Sequence, residues 1–486
     1  MTKEIKEKRL LNRGDSSYFT DLRHLCVSGT NESIGRTLAE YARTTYGADV
    51  LGRYDNAEYG PMRQSYFKRN WPAMADRMKG VEQTYRSHFA AEQEPHAELF
   101  DFSALIYDVP PTGKPRRPGS PAGRAGSSPV MPGCSAAYIP RACTTSGRPI
   151  VVRNYDAWRM KASGAFTSPP DDPGARGQLY ARPFVLELRP RRRKKIIALG
   201  GHDLLCPFQD AMNDAGLYIT SLADDAVPLD WEMTMAGGRN VGLGSRQLLL
   251  LLAESCASVK EVKEVARSLV VRKDIGLHWL IADPHGEATL LRIDRNRCVV
   301  FYDAPPDRPF LVTNHPVDPS GLRDALAAAH QIRKSHCEYI KTDADKACTY
   351  PNCFGGNPNG PCSVFHWDFA YDTFVRMKRL EDAVAARKGK YSCEDATALM
   401  DVVGCAFQSN DKAGIRRERN TRTVWSVTAE LTPADQQMTV RFYIGDGDPV
   451  SLGANQLKID WAAYKFGFGF RRKMLWKDKP RTNKAA

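Results

Sequence analysis

Apolar positions along this chain change period as the chain proceeds. Between residues 32 and 43 they fall at Ile34, Leu38 and Tyr41, the spacing of one helical face. Thr30 or Asn31 stands where an N-cap belongs. A second helical stretch covers residues 70–90. After residue 134 short β-branched runs take over. Those at 149–155, 184–188, 196–199 and 216–222 read as strands, and 277–282, 288–293 and 298–302 read as an antiparallel meander joined by polar turns. Runs at 310–313, 423–428 and 438–444 add three more, the last two pairing. Helical patterns at 245–257, 369–386 and 393–403 lie among them. Ser258-Val259-Lys260-Glu261 is a capping-box pattern that opens a helix to about residue 269. Helices and antiparallel strands in separate blocks predict an α+β fold.

One stretch has no apolar period. Residues 109–133 are rich in Pro, Gly, Arg and Ser and cannot bury a core, which predicts an exposed, mobile loop. It divides the chain into a mainly helical segment, 1–108, the linker itself, 109–133, and a long α+β region, 134–486.

Composition narrows the classes. The 486 residues are 42% hydrophobic and 26% charged, which is globular rather than disordered. No apolar run approaches membrane-spanning length; the longest leucine run is 248–252. The charged start MTKEIKEKRLL has no signal-peptide core, so a cytosolic protein is expected, with its 12 cysteines mostly as thiols. The formal net charge of +13 favours anionic partners, among them phosphorylated cofactors such as coenzyme A, or acidic carrier proteins. A solvated basic surface accounts for it equally. Nucleic-acid binding would need a recognised fold with interleaved aromatics, and none is visible.

The chemistry concentrates just after the linker. Gly133-Cys134 precedes a short hairpin and then Arg153-Asn154-Tyr155-Asp156. A thiol nucleophile usually has a histidine beside it. Here the 10 histidines are scattered, and none sits in a nucleophile-type motif. If the bond after Gly133 is cut, the new α-amine of Cys134 has a reference pKa of ~7.7–8.0 and can take the thiol proton itself. Gly133 leaves room for that attack, and the loop upstream lets the ends part. A single cysteine is otherwise far more often a packing residue. Cys143, next to the turn Ser146-Gly147, reads as a hairpin residue.

Gly-Cys-Ser, a turn with Gly147, then Val152-Arg153-Asn154-Tyr155-Asp156 resembles the start of the mature chain in N-terminal-nucleophile (Ntn) hydrolases. The likeness is greatest to the acyl-coenzyme A:6-aminopenicillanic acid acyltransferase branch, and extends more distantly to choloylglycine hydrolase and penicillin V acylase. Five further matches fall in the family's order between about residues 20 and 445: the pro-segment-like GTNESIGR from Gly29, the stretch from Asp210 to Leu217, the helix from Ser258 with Leu277-His278-Trp279, Thr313-Asn314-His315-Pro316, and Thr423 to Val427.

The resemblance implies an αββα four-layer sandwich made as a precursor and cut between Gly133 and Cys134 into α and β chains. It implies Cys134 as nucleophile, Asp156 holding the freed amine, and Arg153 orienting the sulfur and favouring thiolate. Asn314 would donate to the oxyanion. Asn213, Ala223 and Asp224 would line the substrate pocket, with Ala223 where bile-salt hydrolases carry asparagine. The family's late active-site arginine falls at or near Thr373, with Arg376 one turn away, and its role is not carried over.

The implied activity is acyl transfer to water or an amine from a non-peptide amide or thioester, including an acyl-coenzyme A or acyl-carrier donor, with no cofactor. The alternative is an uncleaved, silent basic binding protein of the same fold. Cys337, Cys348, Cys353 and Cys362, with His336 and His366, read as a free-thiol loop or, against the usual paired spacing, a zinc staple. The basic runs 189–195 and 471–484 read as docking sites for a phosphate-bearing donor or as solvated charge.

Overall fold

The computed structural model describes residues 5–11, 22–46, 59–89, 134–158, 183–200, 208–224, 241–271, 277–294, 298–318, 372–404, 408–410, 416–418, 421–433, 436–450 and 456–468. The linker with Gly133, the cysteine-rich segment 336–366 and the basic tail 471–484 lie outside the described residues.

Two sheets organise the chain. The first orders nine strands as β1 (Ile5–Leu11), β2 (Leu22–Gly29), β5 (Phe184–Pro190), β6 (Ile196–Gly200), β7 (Phe208–Asn213), β8 (Tyr218–Ala223), β9 (Leu277–Ala282), β10 (Ala288–Ile293) and β11 (Val299–Asp303). The second orders eight as β12 (Phe310–Val312), β3 (Ser135–Ile139), β4 (Ile150–Trp158), β15 (Thr421–Glu430), β16 (Gln437–Val450), β17 (Gln456–Gly467), β13 (Gln408–Asn410) and β14 (Arg416–Glu418). Neighbours are antiparallel except β2 and β5, which run parallel. With seven α-helices beside these sheets among the described residues, the α+β class is observed.

Period-two alternation assigns each strand's residues to two different cores. In β5, Val185 faces the second sheet, while Leu186 and Leu188 face helices. In β3, Ala136 and Tyr138 face the first sheet, while Ala137 and Ile139 face the opposite way. The outer core of the first sheet is closed by α1 (Asn31–Tyr46), α2 (Tyr59–Asn70), α3 (Pro72–Phe89), α4 (Ser245–Ser255) and α5 (Val259–Arg267). That of the second sheet is closed by α6 (Asp372–Ala386) and α7 (Cys393–Asp401). Helices, sheet, sheet and helices follow one another, with an inter-sheet core between. Among the described residues no helix is long and apolar enough to cross a membrane.

Most strand expectations hold, often with longer ends. The Ser258 cap forms: its hydroxyl accepts from Glu261 N at 3.2 Å, and Glu261 reaches back to the Ala257 N–H at 2.7 Å. The described residues of the 1–108 segment are mainly helical, and two strands not read along the chain, β1 and β2, join the first sheet. β2 is covered on both faces, so it carries no clean polar alternation to read. The strands β3, β7, β13, β14 and β17 are likewise additions to the pattern read along the chain.

The N-terminal segment is woven into the rest. Leu25, Val27, Ile34 and Leu38 share one core with α4 and β5–β9, each burial worth roughly 1.5–3 kcal/mol. Gly35 and Gly80 let α1 and α3 touch backbone to backbone: an added Cβ at either would lie 1.9 Å from a carbonyl oxygen of the other helix. Arg77 on α3 donates to Glu254 on α4 at 2.5 Å and to Asn31 Oδ1 at 3.0 Å, while Trp71 Nε1 donates to Glu254 at 2.7 Å. Glu254 is 5% exposed and Arg77 1%. Removing one partner leaves a buried charge alone. Glu254→Ala should therefore lower unfolding free energy by about 3–5 kcal/mol in urea titrations; a loss of only a few tenths would show that the pair is not a main tie.

Candidate active site

Cys134 immediately precedes β3, and the register of β3 on β4 places Ser135 opposite Asn154 and Ala136 opposite Arg153. Alternation turns Cys134, Arg153 and Tyr155 into the inter-sheet space and Asn154 away from it, where its amide donates to Met400 O on α7 at 2.7 Å. A guanidinium at 0% exposure needs a partner there. Asp210 of β7 supplies it from the other sheet through Arg153 Nη1. Asp210 also accepts from Trp425 Nε1 at 2.7 Å and from the Tyr218 hydroxyl at 2.8 Å. Arg153 Nη2 donates to Ser221 O at 2.8 Å and reaches Cys134 Sγ at 3.4 Å.

Asn314 comes from the segment just past β12. Its Oδ1 accepts from the Cys134 backbone N at 2.8 Å and from Arg376 Nη2 at 2.8 Å, and its Nδ2 donates to Ala223 O at 2.9 Å. These partners settle which end of the amide is oxygen. Arg376 Nη1 donates to the Cys134 carbonyl and to Ser135 Oγ. Asp156 accepts from Thr423 Oγ1 at 2.6 Å.

Sulfur, nitrogen and carbonyl of one residue are thus each held by a different side chain. Among the described residues no histidine bonds Cys134.

Burial pushes the Cys134 thiol above its ordinary range; Arg153 and the Asp156 backbone N–H pull it down, the Asp156 carboxylate pushes it up, and burial prevails. Burial also works against the charge on Arg153, but Asp210 more than offsets it and the guanidinium stays protonated. Burial outweighs the expected pull toward thiolate from Arg153. Its charge is spent largely on Asp210, and the sulfur is buried, the whole residue being 4% exposed.

Other expectations shift as well. The Cys134 backbone N–H donates to Asn314 Oδ1, while the Asp156 carboxylate accepts from Thr423. Asn314 turns its oxygen to that nitrogen and its Nδ2 to Ala223 O. Asn213 is not a pocket residue. Its Nδ2 donates to Ala253 O (2.9 Å) and Cys256 O (2.6 Å), and its Oδ1 accepts from Ala215 N and Leu217 N, so it staples the β7–β8 turn to the end of α4. Ala223 enters through its carbonyl alone. Asp224 faces Arg292 Nε at 2.5 Å. Cys143 is a hairpin residue whose Sγ lies 3.2 Å from Asp307 O. The basic turn 189–195 meets the 214–216 turn through Asp214 N and Lys195 O. That is the opposite end of β8 from Ala223, about 16 Å along the strand.

Sequence reasoning missed the role of Asp210, and it pointed to Thr373 and Arg376 through the resemblance without giving either a role. Asp210 lay inside a recognised motif and could have been found by asking what pairs with a buried Arg153. Arg376 and Thr373 share the start of α6, and no spacing in the chain ties that helix to Cys134.

No protein-family model matches the chain, and no curated protein matches it significantly. Among solved structures it is similar to a mutant of conjugated bile acid hydrolase from Clostridium perfringens, at 14% identity over 67% of this chain and 96% of that one, TM-score 0.37. It is similar to penicillin V acylase from Agrobacterium tumefaciens at 12% identity, 68% and 85% coverage, TM-score 0.35. It is also similar to an N-acylethanolamine-hydrolyzing acid amidase ortholog from Caenorhabditis elegans at 11% identity, 42% and 79% coverage, TM-score 0.24. Scores this low carry no weight for the chemistry, which is read from the chain's own side chains.

Next to Asn314, burial, helped by His278 and Arg376, pushes His315 down to about 4. Burial lowers His278 too. A depressed histidine contributes stability above the unfolded value and loses it as pH falls. Unfolding free energy should drop by roughly 3 kcal/mol through His315 between pH ~6.5 and ~4. His315→Asn should flatten that slope by about one proton; an unchanged slope would assign the acid loss elsewhere.

Proposed function

We propose that this chain is a self-processing Ntn-type acyl-transfer enzyme, an amidohydrolase or acyltransferase working through an acyl-Cys134 intermediate. The observation that carries the reading is the bond from the Cys134 backbone nitrogen to Asn314 Oδ1 at 2.8 Å, beside a sulfur held by Arg153. A purely structural cysteine has no need of a buried amide and two buried arginines around its own main chain and sulfur.

In the processing step, Cys134 Sγ bonds to the Gly133 carbonyl carbon. The C–N bond breaks, and the leaving nitrogen takes the thiol proton. Water then cleaves the thioester, giving a Gly133 carboxylate and a free thiol. The freed amine keeps Asn314 Oδ1 as its acceptor. It supplies the base that a buried, neutral thiol lacks. With substrate, the amine takes the thiol proton as Sγ attacks the acyl carbon, then passes it to the leaving amine or thiol. Water or a second amine resolves the acyl-enzyme. Asn314 gives one Nδ2 hydrogen to Ala223 and has a second for the oxyanion, a contact of the kind worth ~3 kcal/mol. Asp156, whose carboxylate and backbone N–H both act on the sulfur, would set the nucleophile's pKa rather than hold the amine. An acyl-coenzyme A, a carrier thioester or a simple amide would each suit this chemistry, and no cofactor is needed.

Cutting after Gly133 would leave α and β chains sharing the β2–β5 ladder and the Arg77–Glu254 pair, so they should stay associated.

The test is intact-mass analysis of purified protein. Wild type should give chains 1–133 and 134–486, and Cys134→Ala a single chain. Incubation with acyl-coenzyme A thioesters and acyl amides should leave an acyl mass on Cys134. A wild-type chain that stays whole under native conditions would favour the silent binding protein, whose thiol is simply buried. Asn314→Ala should slow processing by about a hundredfold.

A further inference from the structure

Asn314 has a demanding position and weak local support. β12 ends at Val312, which pairs with Ala136, so residues 313–315 leave the ladder just where the side chain must meet Cys134. Their backbone N–H groups are buried and need acceptors from elsewhere. For two of them one atom serves. Thr373 Oγ1, on the first turn of α6, accepts from Asn314 N at 2.9 Å and from His315 N at 3.2 Å. A hydroxyl has two lone pairs and one proton. Both lone pairs are filled by these successive N–H groups. The proton is left for Thr313 Oγ1 or His315 Nδ1, each 3.0 Å away. Thr313 Oγ1 in turn donates to Thr373 O at 3.1 Å. Thr373 is 5% exposed, so water has little access to compete for these sites.

One turn along the same helix, Arg376 bonds Asn314 Oδ1 and the Cys134 carbonyl. The start of α6 therefore holds Asn314 twice, by its main chain through Thr373 and by its side chain through Arg376.

We propose that Thr373 is a positioning residue: its hydroxyl sets the Asn314 main chain so that Oδ1 meets the nucleophile's nitrogen. The proposal rests on the reading of Cys134 as a self-processing nucleophile. It assigns the function to the oxygen, not to the methyl group or the volume of the side chain. Valine keeps the shape and strands two buried N–H groups; serine keeps both bonds.

The experiment follows cleavage of the full chain by pulse–chase, separating precursor and products by mass. Thr373→Val should slow processing roughly ten- to a hundredfold, while Thr373→Ser should remain within about threefold of wild type. Thr373→Ala replaces valine if that variant does not fold. Melting temperatures in the uncleavable Cys134→Ala background separate positioning from general destabilisation. Amide hydrogen exchange in the same background gives a readout independent of cleavage: Asn314 and His315 should be protected in the parent and in Thr373→Ser, and exposed in Thr373→Val or Thr373→Ala. Thr373→Val processing at the wild-type rate, Thr373→Ser slowed as much as Thr373→Val, or exchange unchanged by Thr373→Val would each overturn the proposal. If wild type itself does not cleave, the enzymatic reading fails, and the exchange result still decides whether Thr373 holds the segment.

Discussion

The Arg153–Asp210 pair is the constraint on which the site depends. Arg153 projects from β4 of one sheet and Asp210 from β7 of the other, both at 0% exposure. Neither charge is tolerable alone at that depth, since losing one partner of such a pair costs several kcal/mol. The two sheets must therefore meet in the one alignment that brings the groups together. That alignment also places the second arm of the guanidinium against Ser221 O and Cys134 Sγ. Trp425 and Tyr218 add their own hydrogen bonds to Asp210, so both of its oxygens are committed to protein donors.

The same pair bears on the electrostatic state of Cys134. A bare guanidinium 3.4 Å from sulfur would favour thiolate. Paired with a carboxylate, it still pulls the thiol toward thiolate and donates a hydrogen bond to the sulfur, but burial outweighs both. Burial then keeps the thiol protonated. On the proposed reading, a thiol held in this form needs a base close at hand, and its own nitrogen, bonded to Asn314, would supply it once freed.

The second support is the start of α6. Thr373 and Arg376 bring acceptor and donor groups to a point where β12 has ended and β3 is beginning. Helix, loop and strand come from three distant parts of the chain, and each is incomplete as a site without the others.

Much of this was legible along the chain because local periodicity records local burial. The meander β9–β11, the cap at Ser258, the α+β class and the Gly-Cys-Ser to Arg-Asn-Tyr-Asp constellation all depend on neighbours within a few residues. β2 was not legible, because covering both faces erases alternation. The roles of Asp156, Asn213 and Asn314 could not be separated along the chain, since an amide or carboxylate looks the same whether it staples a turn or faces a nucleophile. What the sequence by itself determined was most of the strands and helices after residue 134 and which cysteine follows the linker. What only the tertiary structure decided was which charge neutralises Arg153, which end of Asn314 faces Cys134, and how Thr373 and Arg376 of α6 bond to the site. Those outcomes turn on contacts across 57 to 242 residues of chain, and period and spacing carry no information about partners so far apart.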